Sequence, residues 1–350
     1  MKKIYPIILA AAVAVIALFT SSCGSRSQQS VYDGKPVSEW VSDLNFKNPK
    51  PVRDQAQEAM RQIGTNALPF LLKEISDLGE LFQQVGATNF LREGQTRYIN
   101  VHLAFQALGP MAKPAVPALL DLLTNTYTSY NAAFVLTRLD PQTAAVALTQ
   151  ALTNNNLDVR IVAAGELFEV RSNADIALAV PNLVQCLKDI SPDKSDSLNL
   201  KSAAIIALGN IHTRPDIAVP ALLETLTNND RIIRIVSAKA LGRFGNAATS
   251  AVPALVQCLK NESPDKSVTS TAIDALGNIH ARPDIAVPAL VETLTNNDWI
   301  IRSMGARALG QFGNAATSAV PALEQATNDS IATLRLVVTA ALGKIQTASP

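Results

Sequence analysis

Aromatic side chains are scarce in this chain: Phe, Tyr and Trp together make up 5% of 350 residues. Sandwich and barrel cores draw on aromatic and β-branched residues, so the scarcity argues against both. Cysteine is rarer still, with three in the whole chain, which leaves no even-numbered disulfide framework. Neither sign of charge dominates, since 30 Lys plus Arg against 29 Asp plus Glu give a net charge of +1. Without a broad positive field there is no general hold on a phosphate backbone, and nucleic acid is not an expected partner. Catalytic signatures are missing as well. The sequence has no His-Glu-x-x-His, no Gly-x-Ser-x-Gly, no phosphate-cradling Gly-rich loop and no Cys-x-x-Cys. No enzyme activity, metal or cofactor is expected.

What is present is aliphatic. Hydrophobic residues reach 48%, chiefly Ala, Leu, Val and Ile, a composition that suits closely packed helices. The strongest signal is internal repetition. Ile217 to Leu255 reads IAVPALLETLTNNDRIIRIVSAKALGRFGNAATSAVPAL, and Ile285 to Leu323 repeats it almost letter for letter. Within each copy lie two smaller units marked by Val-Pro-x-Leu, at Pro117, Pro181, Pro220, Pro253, Pro288 and Pro321. The later marks are spaced about 33 to 39 residues apart, the length of a two-helix repeat.

Each unit follows from local rules. In Ser250-Ala251-Val252-Pro253 the serine can cap a helix and the proline falls in its first turn, where no internal hydrogen bond is lost. Thr-Asn-Asn-Asp ends that helix, and Asp230 or Asp298 can cap the next. Ile232, Ile233, Val236, Ala240 and Leu241 then recur at helical spacing, and Gly242 and Gly245 loosen the end. A lone helix pair cannot bury its apolar faces, so the units must stack.

The pattern resembles HEAT repeats, including the bacterial variety also found in phycobilin-lyase-like proteins. The likeness rests on Asp230, Arg234, Ala240, Leu241 and Gly242, on Asp298, Arg302, Ala308, Leu309 and Gly310, and on Arg335 with Ala341-Leu342-Gly343. It implies an all-α, right-handed α-solenoid (an α-α superhelix, armadillo-like) of about nine two-helix repeats over residues 36–347. It also implies a non-enzymatic scaffold that binds a protein or peptide partner on the repeat surface. A phycobilin-lyase-like or other enzyme-accessory protein is the alternative. In the family the arginine of this motif bridges neighbouring units, so Arg53, Arg160, Arg234, Arg302 and Arg335 are read as structural. Asp230 and Arg234, at i and i+4, are one expected pair.

Other cations lack that explanation. Arg231, Lys239, Arg243 and Arg307 are expected to form a modest basic stripe for a partner, and Trp299, which replaces Arg231 in the later copy, is a candidate anchor. The last unit keeps Leu336 and Val337 and places Val338 and Ala340 at slots held elsewhere by Ser237 and Lys239. An apolar C-terminal end that meets a partner or a second copy is therefore expected, with Val338 packed on its own unit as the alternative. His212 and His280 occupy one repeat position, as do Cys186 and Cys258, and the repeat distance separates each pair too widely for a shared metal or a disulfide.

The N-terminus differs from everything after it. Lys2 and Lys3 precede an uncharged apolar stretch from Ile4 to Phe19, then Thr20-Ser21-Ser22-Cys23 and a polar run. This layout reads as a secretory signal over residues 1–22, and a Cys after small residues resembles a bacterial lipoprotein signal, which implies acylation of Cys23. Residues 23–35 are then a flexible tether. The expected location is outside the cytoplasm, as a membrane-anchored lipoprotein on the periplasmic or outer-membrane side, with a soluble secreted or periplasmic protein as the alternative.

Overall fold

The computed structural model describes residues 30–170, 174–189, 194–260 and 266–347. The expected signal segment and Cys23 lie outside the described residues. Over these residues the chain is an all-α solenoid of helix pairs, divided into two compact units, Met1–Asn173 and Ala174–Pro350.

The first unit holds four pairs: α1 (Val37–Asp43) with α2 (Lys50–Ile63), α3 (Leu68–Glu93) with α4 (Gln95–Leu108), α5 (Val116–Leu123) with α6 (Ser129–Leu139), and α7 (Pro141–Ala151) with α8 (Leu157–Leu167). The second holds five: α9 (Val180–Leu187) with α10 (Lys194–Ile211), α11 (Pro215–Thr225) with α12 (Arg231–Arg243), α13 (Val252–Lys260) with α14 (Lys266–Ile279), α15 (Pro283–Thr293) with α16 (Trp299–Gln311), and α17 (Val320–Ala326) with α18 (Ala332–Thr347). These nine pairs match the repeat number read from the sequence.

The aspartate caps form as the sequence dictates, whereas Ser250, expected to cap a helix, lies inside a 3-10 turn from Gly245 to Ala251 that runs straight into α13. Asp230 accepts from the backbone N–H of Ile232 at 2.8 Å and of Ile233 at 3.1 Å, and Asp298 accepts from Ile300 at 2.9 Å. Pro117, Pro181 and Pro321 fall in the first turn of their helices. Pro220 and Pro288 do not, because α11 and α15 start earlier, at Pro215 and Pro283.

Four of the five motif arginines hold their own turns, with partners other than those expected, while Arg53 lies over the Phe46 ring at 5.8 Å. Arg234 donates to the Asn228 and Asn229 carbonyls at 2.8 and 2.9 Å, and Arg160, Arg302 and Arg335 make the same pair of bonds in their own turns. Each guanidinium thus closes the turn that joins its helix pair, while the aspartate is engaged in capping. Arg302 also reaches the next repeat, donating to both carboxylate oxygens of Asp329 at 2.9 and 3.1 Å. Asp329 lies below the usual carboxylate range, held there by the Ile331 N–H and then by Arg302.

In the second unit the second helices of successive repeats pack directly on one another, and the Ala-Leu-Gly motif explains how. A Cβ placed on Gly209 would lie 2.8 Å from the Ala240 Cα; for Gly242 the clash is with Ala275 at 2.9 Å, and for Gly310 with Ala341 at 3.0 Å. Gly277 meets Ala308 in the same way at 3.2 Å. The glycine of one repeat therefore receives the alanine of the next, and bringing helices this close requires small residues on both sides. Gly242 is a contact residue inside α12 rather than a loosened end, whereas Gly245, at φ 54°, makes the turn.

One further expectation is corrected, and at Val338 the structure takes the second of the two readings. The segment assigned as tether is folded from Val31 onward: Val31–Tyr32 pairs antiparallel with Lys35–Pro36. Asp33 and Gly34, at φ 51° and 73°, supply the left-handed pair that a two-residue hairpin turn needs. Trp40 on α1 donates its indole N–H to the Tyr32 carbonyl at 3.0 Å, and Lys35 sits 4.3 Å from the centre of the indole ring. At the other end, Val338 is fully buried. Its slot corresponds to Ser237, which is also buried and bonds Thr225 of its own repeat at 2.7 Å. That position faces inward. Leu336, at 73%, is the exposed large apolar side chain of the last repeat's second helix.

Candidate functional site

The residue before each Ala-Leu-Gly motif and the residue after it both point off the seam. In the second unit they form two rows across the second helices: Ile206, Lys239, Asp274, Arg307 and Ala340 in one, and Asn210, Arg243, Asn278, Gln311 and Lys344 in the other. Between α12, α14 and α16 the rows border a groove of about 650 Å³, lined by Ile235, Lys239, Arg243, Thr271, Asp274, Asn278, Arg307 and Gln311 among others.

The groove is polar along its rows, and the closely packed Gly242 and Ala275 line it between them. Its side chains are linked across repeats. Arg307 pairs with Asp274 at 2.5 Å, Gln311 donates to Asn278 at 3.4 Å, and Arg243 donates to the Asn210 side chain. These are exposed contacts, each worth little in stability, so a partner can exchange them at small expense. The arrangement offers guanidinium, ammonium, carboxylate and amide groups in alternation. Such a surface suits hydrogen bonding to an extended chain better than it suits a compact anion.

Three of the residues singled out in the sequence, Lys239, Arg243 and Arg307, come together here. Arg243 and Arg307 are engaged with neighbouring repeats, contrary to the expectation of a freer basic stripe. Ala340 is exposed and holds the next place in the row, beyond Arg307. Arg231 and Trp299 are not part of the groove: each is the first residue of its second helix, and Trp299 is 41% exposed. Val338, buried, is removed from the set. Sequence reasoning missed Asp274, Asn278, Gln311 and Thr271. Reading the residues on either side of Ala-Leu-Gly down all five repeats would have found the first three.

Other candidates play no part in this groove. His212 and His280 bond the Asn210 and Asn278 carbonyls through Nδ1 at 2.8 and 2.9 Å, each at positive φ in the loop after its helix. Cys186 is buried, and burial pushes the half-buried Cys258 thiol up. Among the described residues, no three His, Cys, Asp or Glu side chains gather as a metal site. Nor is any described helix long and apolar enough to cross a membrane.

A family model described as HEAT repeats matches residues 180–266 and 252–343. The second unit is thus similar to HEAT repeats over most of its length. A crystal structure of an engineered protein is similar over 96% of this chain and 91% of its own, with 23% identity and a TM-score of 0.53, which supports the fold. A designed armadillo repeat protein matches 59% of this chain and 99% of its own at 18% identity and TM-score 0.44. The CpcE and CpcF complex of phycocyanin lyase from Nostoc sp. matches 66% of this chain and 94% of its own at 24% identity and TM-score 0.40. No curated protein matches the sequence.

Proposed function

We propose that this chain is a non-enzymatic scaffold that holds an extended segment of a partner protein in the second-helix groove of its second unit. The observation that carries the reading is the convergence of Lys239, Arg243 and Arg307 with Asp274, Asn278 and Gln311 on one groove across three repeats. Charged and amide groups, several of them paired across repeats, can be re-paired to a peptide backbone and its side chains without leaving a buried charge unpartnered. The reading includes export and anchoring through an acylated Cys23, for which the layout from Lys2 to Cys23 is the support. Affinity capture on the full chain tests the binding. A protein that co-purifies with the wild type should be lost, by about tenfold or more, with Lys239→Glu/Arg307→Glu. Undiminished capture by that variant would refute the groove as the binding surface.

A further inference from the structure

The first unit carries a second constellation, unrelated to the groove. Tyr98 and His102 on α4, Tyr130 and Phe134 on α6, and Glu166 on α8 lie on the second helices of three successive repeats. Their rings form a continuous set. His102 stacks on Phe134 with centroids 4.1 Å apart and planes at 12°, and meets Tyr98 edge-on at 4.1 Å. Tyr98 lies parallel to Tyr130 at 6.2 Å. Tyr130 is 48% exposed, so this set opens to solvent along one side.

Beside the rings is a buried acid without a full complement of partners. Glu166 is 8% exposed, and its Oε2 accepts no hydrogen bond. Burial raises its pKa against the opposing pull of Arg138, while Glu169 adds to the rise. Arg138 does not satisfy that oxygen: the guanidinium stacks 3.4 Å from the Phe134 ring centre, and its Nη1 donates to the Phe134 carbonyl at 3.0 Å. The other orphaned side-chain atoms nearby are His102 Nε2 and Asn131 Oδ1. His102 is held neutral by burial, and Asn131 is near enough to act on it. His102 and the Asn131 amide act on each other, so the acceptor that calls for a donor is the Glu166 carboxylate oxygen. The half-exposed Tyr130 ring favours a cation as that donor.

We propose that the second helices of the first unit form a recognition site for a lysine or arginine side chain presented by a partner protein, with Glu166 as its counter-charge and Tyr98 and Tyr130 as its aromatic wall. A buried acceptor left unpaired destabilises the fold, and a cationic donor recovers that loss on binding. The site is independent of the groove in the second unit.

The test is an NMR titration of the full chain with a seven-residue peptide of Ser and Gly carrying one central lysine, beside the same peptide with arginine, norleucine or ε-acetyl-lysine. Lysine or arginine should shift resonances of α4, α6 and α8, and norleucine and acetyl-lysine should not. Glu166→Gln should weaken binding by about tenfold or more and raise the thermal midpoint, since a buried charge lacking a partner is removed. Tyr130→Ala should weaken binding with the fold unchanged, and Lys239→Glu should leave it untouched. Equal binding of the norleucine peptide, or Glu166→Gln binding as the wild type does, would overturn the proposal. So would a high-resolution crystal structure of the lysine-peptide complex in which water alone occupies Glu166 Oε2.

Discussion

His102 gives the clearest consequence at the scale of a single side chain. Burial, and then the Arg138 guanidinium, lower its pKa from 6.5 to about 4. The folded chain therefore holds a neutral imidazole where the unfolded chain takes up a proton. Its contribution to stability is complete above pH 6.5 and is lost as the pH falls from there to about 4, a change on the order of 3 kcal/mol. Denaturant unfolding at pH 7 and pH 4.5 should show a loss of this sign, and His102→Gln should flatten the difference between the two. Glu166 works in the opposite direction, because its raised pKa erodes stability as the pH rises past the ordinary carboxylate value. The comparison of wild type with His102→Gln isolates the imidazole. Neither residue could be picked from the sequence. His102 belongs to no repeated motif, and only the packing of α4 on α6 brings it to Phe134.

At the scale of the element, the glycine seam is the feature most open to test. Gly242→Ala places a methyl 2.9 Å from the Ala275 Cα, and Gly209→Ala places one 2.8 Å from the Ala240 Cα. Each should destabilise by about 1–3 kcal/mol, as over-packing of a tight contact does. Gly343 stands at the same motif position in the last repeat with nothing within 4 Å. Gly343→Ala should therefore stabilise by up to about 1 kcal/mol through helix propensity alone. Calorimetry on the three variants checks the contrast, and equal effects at Gly242 and Gly343 would contradict the seam. The helices themselves were legible, because Thr-Asn-Asn-Asp caps and 3.6-residue spacing act locally. What the glycines touch was not, since that depends on the neighbouring repeat. The 31–36 hairpin was legible in principle from Asp33-Gly34, a turn signal passed over because the segment was read together with the polar run before it. Val338 stays open between two readings in the sequence because the Ser237 slot looks polar there, although the serine is buried and satisfied within its own repeat.

For the molecule as a whole, repeat number and fold class followed from periodicity, and the groove followed only in part. The cations Lys239, Arg243 and Arg307 were found because they stand out from the motif; Asp274 and the amides were not, because each is ordinary alone and significant only in its row. The balanced charge, +1 over 350 residues, sets the expected response to salt. Partner capture should weaken only a few-fold between about 50 and 200 mM salt, against the 10³-fold or greater loss typical of binding to a phosphate backbone. The most direct measurement is site-specific photo-crosslinking on the full chain in its own cells. A photoreactive residue at Thr271, inside the groove, should yield a protein adduct, and one at Glu224, exposed on the first helix of its repeat, should not. Adducts from Glu224 with none from Thr271 would contradict the groove as the place where the partner is held.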